Sequence, residues 1–437
     1  MNRRETHFVD QHTGEWGYGT VARIAVVGAG ISGLSCAYML SEAHDVVVFE
    51  AGMRPGGHSR TVNVTRHGAA LPVDTGFIVY NEVNYPLLTK LFAALSVRTK
   101  PSDMSFGVRY GDGELEFCAS SLAGLFAQKK NMASPRYLRM LTDIVRFFRS
   151  AKSVLDEPGD PTLGEFIDRL SPGAWFKDRF LVPMGAAIWS TPPRQMLEFP
   201  AKTFVRFFDN HGLLSVNGHH QWRTVDGGSQ QYVRRIVERL ADRVRTGDPV
   251  REVRASQGGF EVVTAAGRQE RFDEVVLAAH ADASLAMLTD PTPGERHVLG
   301  AFEFRDNPAV LHTDAALMPK AKAAWASWVY AAGGPETANQ VSVTYWMNKL
   351  QSLPGEDVFV SLNPDREIHP SKVIDRHIFR HPVFSRQSVA AQNDIPSIQG
   401  QRGLWFCGAW QRNGFHEDGL WSAVRVVQAK GMTIPWL

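Results

Sequence analysis

The chain has 437 residues, of which 44% are hydrophobic and 21% charged, with a formal charge of +2. That length allows two or more domains with large cores, and so balanced a charge argues against nucleic acid as the main partner. Cys36, Cys118 and Cys407 are too scattered for a disulfide scaffold or a zinc module, so no metal site is expected. The N-terminal lead, residues 1–22, is polar and lacks the apolar core of an export signal. No stretch approaches the roughly eighteen apolar residues of a membrane-crossing helix. The expected location is the cytoplasm, with contact at the inner face of the membrane left open.

Arg23 to Val27 (RIAVV) reads as a buried parallel strand. Gly28-Ala29-Gly30-Ile31-Ser32-Gly33 follows, then a helical stretch from Leu34 to Ser41 and a second apolar run, Val46 to Phe49, ending at Glu50. Strand, glycine turn, helix, strand and acid in this order define a dinucleotide-binding unit. Gly28 permits the tight turn, Gly30 lets the backbone approach a pyrophosphate, and Gly33 lets the helix pack closely. Ile31 and Ser32 open the helix, whose free N–H groups and positive dipole end suit phosphate. Glu50 stands where a carboxylate accepts ribose hydroxyls.

The residues after Glu50 favour FAD over NAD. Glu50-Ala51-Gly52-Met53-Arg54-Pro55-Gly56-Gly57-His58-Ser59-Arg60-Thr61 resembles the ExxxRxGG(R) extension of the flavin amine oxidase and phytoene desaturase superfamily. The resemblance implies that Gly56 and Gly57 pass close to the FAD diphosphate. His58 stands where the family has Arg, so Arg54 or Arg60 becomes the candidate cation. Val73-Asp74-Thr75-Gly76-Phe77-Ile78 resembles the family's D-x-G segment beside the flavin ring. Thr224 to Ser229 resembles its GGS signature, ahead of a helix from Gln230 to Leu240. Val250 matches the position whose backbone holds adenine, and Phe272 to His280, with Ala279, the strand leading to the active-site side of the cofactor. Leu404 to Trp410, with Gly408, then Gly414 to Leu420, resembles the C-terminal flavin motif. There the resemblance implies Asp418, Gly419 and Leu420 against the ribityl chain and pyrimidine edge.

The implied fold is α/β: a Rossmann-type FAD-binding domain with an inserted α+β substrate domain. The FAD domain is expected from residues 23–78, 224–282 and 401–437, and the substrate or cap domain from 79–223 and 283–400. The first insert reads as mostly helical, with apolar spacing in Leu87 to Leu95 and Tyr137 to Val154. The second reads as strand-rich, in Gln340 to Met347 and Asp357 to Leu362. No second glycine fingerprint serves NADPH, so dioxygen, a partner protein or another acceptor is expected to reoxidise the flavin. Cys407 lies in an apolar strand, which favours non-covalent FAD.

Leu181 to Val216, with its Pro-Pro pair and aromatics, reads as a cap and resembles a bacterial branch of the superfamily. Members of that branch accompany methyltransferases similar to cyclopropane fatty-acid synthases, and one relative dehydrogenates methylated acyl chains on the way to furan fatty acids. The resemblance implies a fatty acyl desaturase, with an acyl lipid as partner and FAD as cofactor. Oxidation of an amine C–N bond, or a non-catalytic flavin- and lipid-binding subunit of a second enzyme, stays open beside it. Lys320, Lys322 and Lys349 fit no motif, which weakens the amine reading.

His416 is a candidate base or proton relay, or a fixed hydrogen-bonding group. Glu417 is a rival base or a helix N-terminal acid. Tyr345 and Asn348 are candidates to orient substrate, against a satisfied hydroxyl and a turn residue; His211 belongs to the cap or to a loop. Phe and Trp residues such as Trp189, Phe207 and Trp328 suit an apolar tunnel or an ordinary core. The basic run Gln128 to Asn131, with Arg136, Arg139, Arg146 and Arg149, suits anionic headgroups or a solvated helix face.

Overall fold

The computed structural model describes residues 5–9, 16–66, 68–215, 220–332 and 341–437. Val216, at the end of the expected cap, Gln340, at the start of an expected strand, and parts of the lead lie outside these residues.

A five-stranded parallel sheet runs in the order Val244–Thr246, Asp45–Glu50, Arg23–Val27, Glu274–Leu277, Leu404–Phe406. Its inner strands are apolar runs because both faces are covered. Ile24, Val26, Val46 and Val48 enter one core, and Ala25, Val27, Val47 and Phe49 enter the other. The helices Ile31–Leu40, Gln230–Leu240 and His416–Ala429 contribute to the first core. A three-stranded antiparallel sheet, Val250–Ser256, Gly259–Thr264 and Gln269–Phe272, packs in the second.

Val250 opens a strand, as read, which belongs to the antiparallel sheet, and the parallel sheet's edge is Val244–Thr246. One local expectation changes. The stretch Phe272 to His280 divides between the two sheets at Asp273. Its N–H donates to the Arg23 carbonyl (2.8 Å) and its carboxylate accepts from the Arg23 N–H (2.7 Å), which turns the chain.

The second large sheet has seven strands. It runs Leu115–Cys118, Phe106–Tyr110, Trp328–Ala332, Ser342–Trp346, Phe359–Leu362, Glu303–His312 and Val373–Val383. The first insert, read as mostly helical, therefore also supplies two strands to this sheet. Its helices, including Pro135–Ser150, Val182–Trp189 and Ala201–Asn210, bury Tyr137, Met140, Phe147 and Phe204 with Phe106, Trp328 and Tyr330 of the sheet. No helix among the described residues is long and apolar enough to cross a membrane.

Candidate functional site

One cavity of about 1410 Å³ lies where these layers meet. A single-ligand pocket is usually roughly 300–1,000 Å³, so this space accommodates more than one group. The glycine loops line one end, and aromatic and aliphatic side chains from the inserts line the other.

At the glycine end the backbone is shaped for close approach. Gly28 adopts φ +107°, where a Cβ would also stand 2.6 Å from the Ala278 carbonyl oxygen. A Cβ on Gly33 would meet the Gly28 oxygen at 1.8 Å, so the helix can seat on the loop only as glycine. Gly30 is different: a Cβ there would meet no protein atom within 4 Å, and the residue lines the cavity. Its bare backbone is left open toward a ligand. The Gly56 N–H donates to the Ala29 carbonyl (2.7 Å), docking the second glycine pair on the first loop, and Gly57 lines the cavity beside it. Glu50 accepts from the backbone N–H groups of Ala29 (2.8 Å) and Gly52 (2.7 Å). Its carboxylate thus fixes the loop while still lining the cavity.

Ile31, Ser32, Ala51, His58, Gly76, Phe77, Ile78, Val250, Ala279 and Gly408 also line the cavity. Ser59 and Thr75 sit behind the wall. The Ser59 hydroxyl bonds Tyr232 and His416, and Thr75 donates its N–H to the Arg60 carbonyl. Neither candidate arginine lines the cavity. Arg60 is committed to Asp375, with contacts of 2.6 and 3.1 Å, and Arg54 reaches the Thr61 carbonyl at 3.4 Å. The arginine that does line it is Arg380, from the strand Val373–Val383, held by Asp282 at 2.7 Å.

At the C-terminal motif, Gly419 carries no side chain because a Cβ would fall 2.8 Å from Ile31 and Ser32, where two helix starts cross. Leu420 is fully buried behind it. Asp418 does not line the main cavity: it accepts from the N–H groups of Asn413 (3.2 Å) and Phe415 (3.0 Å) and shapes the turn before its own helix. Burial raises it to about 6. Glu417 accepts from Leu87 N–H (2.8 Å) and Leu88 N–H (2.9 Å), at the start of the helix Pro86–Ala94, and burial raises it to about 7. This carboxylate caps another helix rather than facing the main cavity. Both acids line a neighbouring pocket of about 370 Å³.

His416 lines the cavity with its ring stacked 3.8 Å from Phe77. Its Nε2 bonds the Ser59 hydroxyl (2.8 Å) and approaches the Tyr232 hydroxyl (3.3 Å). Burial lowers it to about 3, so the ring is neutral at pH 7 and a weak base. The geometry therefore favours a fixed, orienting imidazole. Sequence reasoning missed what surrounds it. His58, His280 and His381 also line the cavity, with His58 ring centroids 5.4 Å from His381 and 6.3 Å from His280. Burial, and for His58 and His381 the neighbouring imidazoles, lowers all three. The alternation of His377, Phe379 and His381 along one strand was the available signal.

Tyr345 lines the cavity, paired across strands with Trp328, and burial raises its phenol to about 12. Asn348 is a turn clamp: its side chain accepts from Val358 N–H and donates to the Leu353 and Glu356 carbonyls. His211 lines the cavity on Phe207, its Nδ1 on that residue's carbonyl. Lys349 stands 3.4 Å from Asp103, which lines the cavity, whereas Lys320 pairs with Asp112 and Lys322 covers Trp325. The Cys407 thiol is buried against Cys36 and pushed up well above its ordinary range, which removes it as a nucleophile.

The far arm is apolar. Phe106, Leu125, Ile144, Phe180, Met184 and Ile188 are among its lining, and among the described residues the charged ones on the whole wall are Glu50, Asp103 and Arg380. Trp189 and Trp328 line it too, and their indole N–H groups are buried without a partner.

The profile of the family described as flavin containing amine oxidoreductase matches residues 31–309. An L-amino-acid oxidase of Daboia russelii is 54% identical over 46 residues, which is 10% of this chain and 9% of that protein. The chain thus matches about a tenth of that curated relative's length. Among solved structures, a conjugated-linoleic-acid-producing fatty acid isomerase from P. acnes aligns with a TM-score of 0.67 at 15% identity, over 93% of this chain and 98% of the other. Putrescine oxidase bound to putrescine aligns at 0.64 and 16% identity, over 93% and 99%. A protoporphyrinogen oxidase candidate from Exiguobacterium aligns at 0.66 and 15% identity, over 94% and 98%.

Proposed function

This chain belongs to the flavin containing amine oxidoreductase family and is an FAD-dependent oxidoreductase; we propose that its substrate is a fatty acyl chain, from which it removes two hydrogens to leave a carbon–carbon double bond. The residues present fit the cofactor. The open Gly30 backbone, the docked Gly56-Gly57 pair and two converging helix starts make a cradle for a dinucleotide. Bound FAD would supply a two-electron acceptor for hydride leaving carbon, and the second hydrogen would leave as a proton taken up by the reduced flavin or by water.

The observation that carries the substrate reading is the lining of the far arm. Its lining is mostly aromatic and aliphatic, with Asp103 the acid among the insert residues that line it, so it rewards burial of methylenes at about 0.8 kcal/mol each. The same fold carries a fatty acid isomerase and amine oxidases, so the fold itself does not separate these substrates. A cationic amine is held by a carboxylate or by aromatic faces, so the wall's carboxylates bear on the choice. Asp103 is the candidate, and Lys349, Ser105 and Ser327 already satisfy it.

The chain's own groups have definite tasks. The aromatic walls exclude water, and His416, held by Ser59 and stacked on Phe77, stays neutral and fixes one polar point beside the cofactor end. Tyr345, which lines the cavity, is a candidate to meet an acyl carbonyl or another single polar group of the chain. The narrowest form of the reading is a methylated acyl chain on the route to furan fatty acids. Anaerobic mixing tests the substrate class. A detergent-dispersed acyl lipid should bleach the flavin absorbance in a saturable way, and small amines should leave it unchanged; the reverse pattern removes the proposal.

A further inference from the structure

The far arm of the cavity reaches the surface at the helix Pro135–Ser150. Leu141, Ile144, Val145 and Phe148 line the cavity from one side of this helix, and Val145 is also 37% exposed. Ala119 and Ser120, exposed beside it, complete that rim. The same chain segment carries further uncovered apolar side chains: Leu122 is 76% exposed, Met132 61% and Leu138 42%. Large exposed hydrophobic side chains are ordinary singly and informative when they cluster.

The charge of the same segment is one-sided. Residues 122–150 contain Lys129, Lys130, Arg136, Arg139, Arg146 and Arg149, against one acid, Asp143. Asp143 is buried, accepts from the Gly173 N–H and lies 3.7 Å from Arg139. Among the described residues the other five cations form no ion pair. Leu138 and Val145, seven residues apart, share one helix face, with Arg146 and Arg149 beside it. Apolar side chains ringed by unpaired cations match the interface of an anionic bilayer, where methyl groups enter the acyl boundary and guanidinium groups meet phosphates.

We propose that this face docks on an anionic membrane and that the substrate enters the cavity directly from the bilayer. The inference rests on the acyl-chain reading of the cavity and adds where the chain comes from. Docking solves a physical problem for such a substrate: an apolar chain can leave the bilayer and enter an apolar tunnel without crossing water.

The test is co-sedimentation of the FAD-loaded full chain with vesicles of phosphatidylglycerol and phosphatidylcholine in equal parts, or of phosphatidylcholine alone. The protein should bind the anionic vesicles, less so as salt is raised, and bind the neutral ones weakly. Arg136→Glu/Arg146→Glu/Arg149→Glu should weaken partitioning on the order of a hundredfold, from about 1 kcal/mol per removed cation and added repulsion. Leu122→Ser/Met132→Ser/Leu138→Ser should weaken it also, and a control on another exposed helix face, Arg234→Glu/Arg235→Glu, should not. Flavin absorbance and circular dichroism establish that each variant is folded and loaded. Binding by both surface variants equal to the wild type overturns the docking face, as does failure of the wild type to bind either vesicle. Bleaching of the flavin by a detergent-dispersed acyl chain is read separately, so loss of docking and loss of the substrate reading give different results.

Discussion

The carboxylate of Asp74 accepts hydrogen bonds from both the backbone N–H and the hydroxyl of Ser229, 155 positions away in the sequence. Thr61 and Gln351 donate to the same carboxylate, at 2.6 and 2.9 Å. One fully buried acid therefore ties the D-x-G segment to the start of the helix Gln230–Leu240 and to the second insert.

Removing that knot should cost stability before it costs chemistry. Asp74→Ala strands several buried donors, each worth about 1–3 kcal/mol when left unpaired, and should lower unfolding free energy by roughly 3 kcal/mol or more. Urea unfolding followed by flavin fluorescence reads this. A loss below about 1 kcal/mol would contradict the assigned role.

Two glycines of the first loop should fail in different ways. Gly30→Val projects into open space, so the fold should persist while FAD binding weakens about tenfold or more, which is roughly 1.4 kcal/mol or above. Gly33→Val drives a side chain into the Gly28 carbonyl and should prevent folding. Equilibrium dialysis of FAD and circular dichroism separate the outcomes; full FAD affinity in Gly30→Val would place the dinucleotide elsewhere.

The histidines of the cavity wall should make the protein sensitive to acid. Burial and the neighbouring His280 hold His381 at about 4, below the ordinary 6.5. The unfolded chain takes up this proton as pH falls through 6.5, and the folded protein only near 4, so folded-state stability is lost across that window. Asp74 and Glu417, raised by burial, act with the opposite sign, so the effect is read as a difference between two proteins. His381→Phe should gain on the wild type by on the order of 2 kcal/mol between pH 7 and 4.5, measured by thermal unfolding at each pH. A pH-independent difference would show that the imidazole is not held neutral.

Glu417 should matter as a cap and not as a base. Glu417→Ala frees the Leu87 and Leu88 N–H groups and should cost about 1–2 kcal/mol of stability with turnover retained. A general base at this position would instead lower turnover by roughly 10²–10⁴.

Features that depend on one continuous segment were legible in the sequence. The strand Arg23–Val27, its glycine turn and Glu50 follow from local chain geometry, because tight turns and β-branched runs are local properties. The second glycine pair and the C-terminal motif needed a resemblance as well, since the reason for Gly56 and Gly419 lies in segments far along the chain. The histidine cluster was legible only in part, through the alternation of His377, Phe379 and His381 along one strand. His58, His280, His381 and His416 come from four separate segments, and only the folded wall brings them together. Glu417 and Asp418 show the same limit: their spacing announced a helix start, but their partners were decided by packing. The split of Phe272 to His280 between two sheets was hidden for a similar reason, because it depends on Asp273 meeting Arg23.

The most direct measurement is product analysis after anaerobic incubation of the FAD-loaded protein with a methyl-branched fatty acyl phospholipid deuterated along its chain. The account predicts a lipid short of two hydrogens, a new carbon–carbon double bond, and flavin bleaching slowed by the deuterium. An unaltered lipid, with an amine bleaching the flavin in its place, would contradict it.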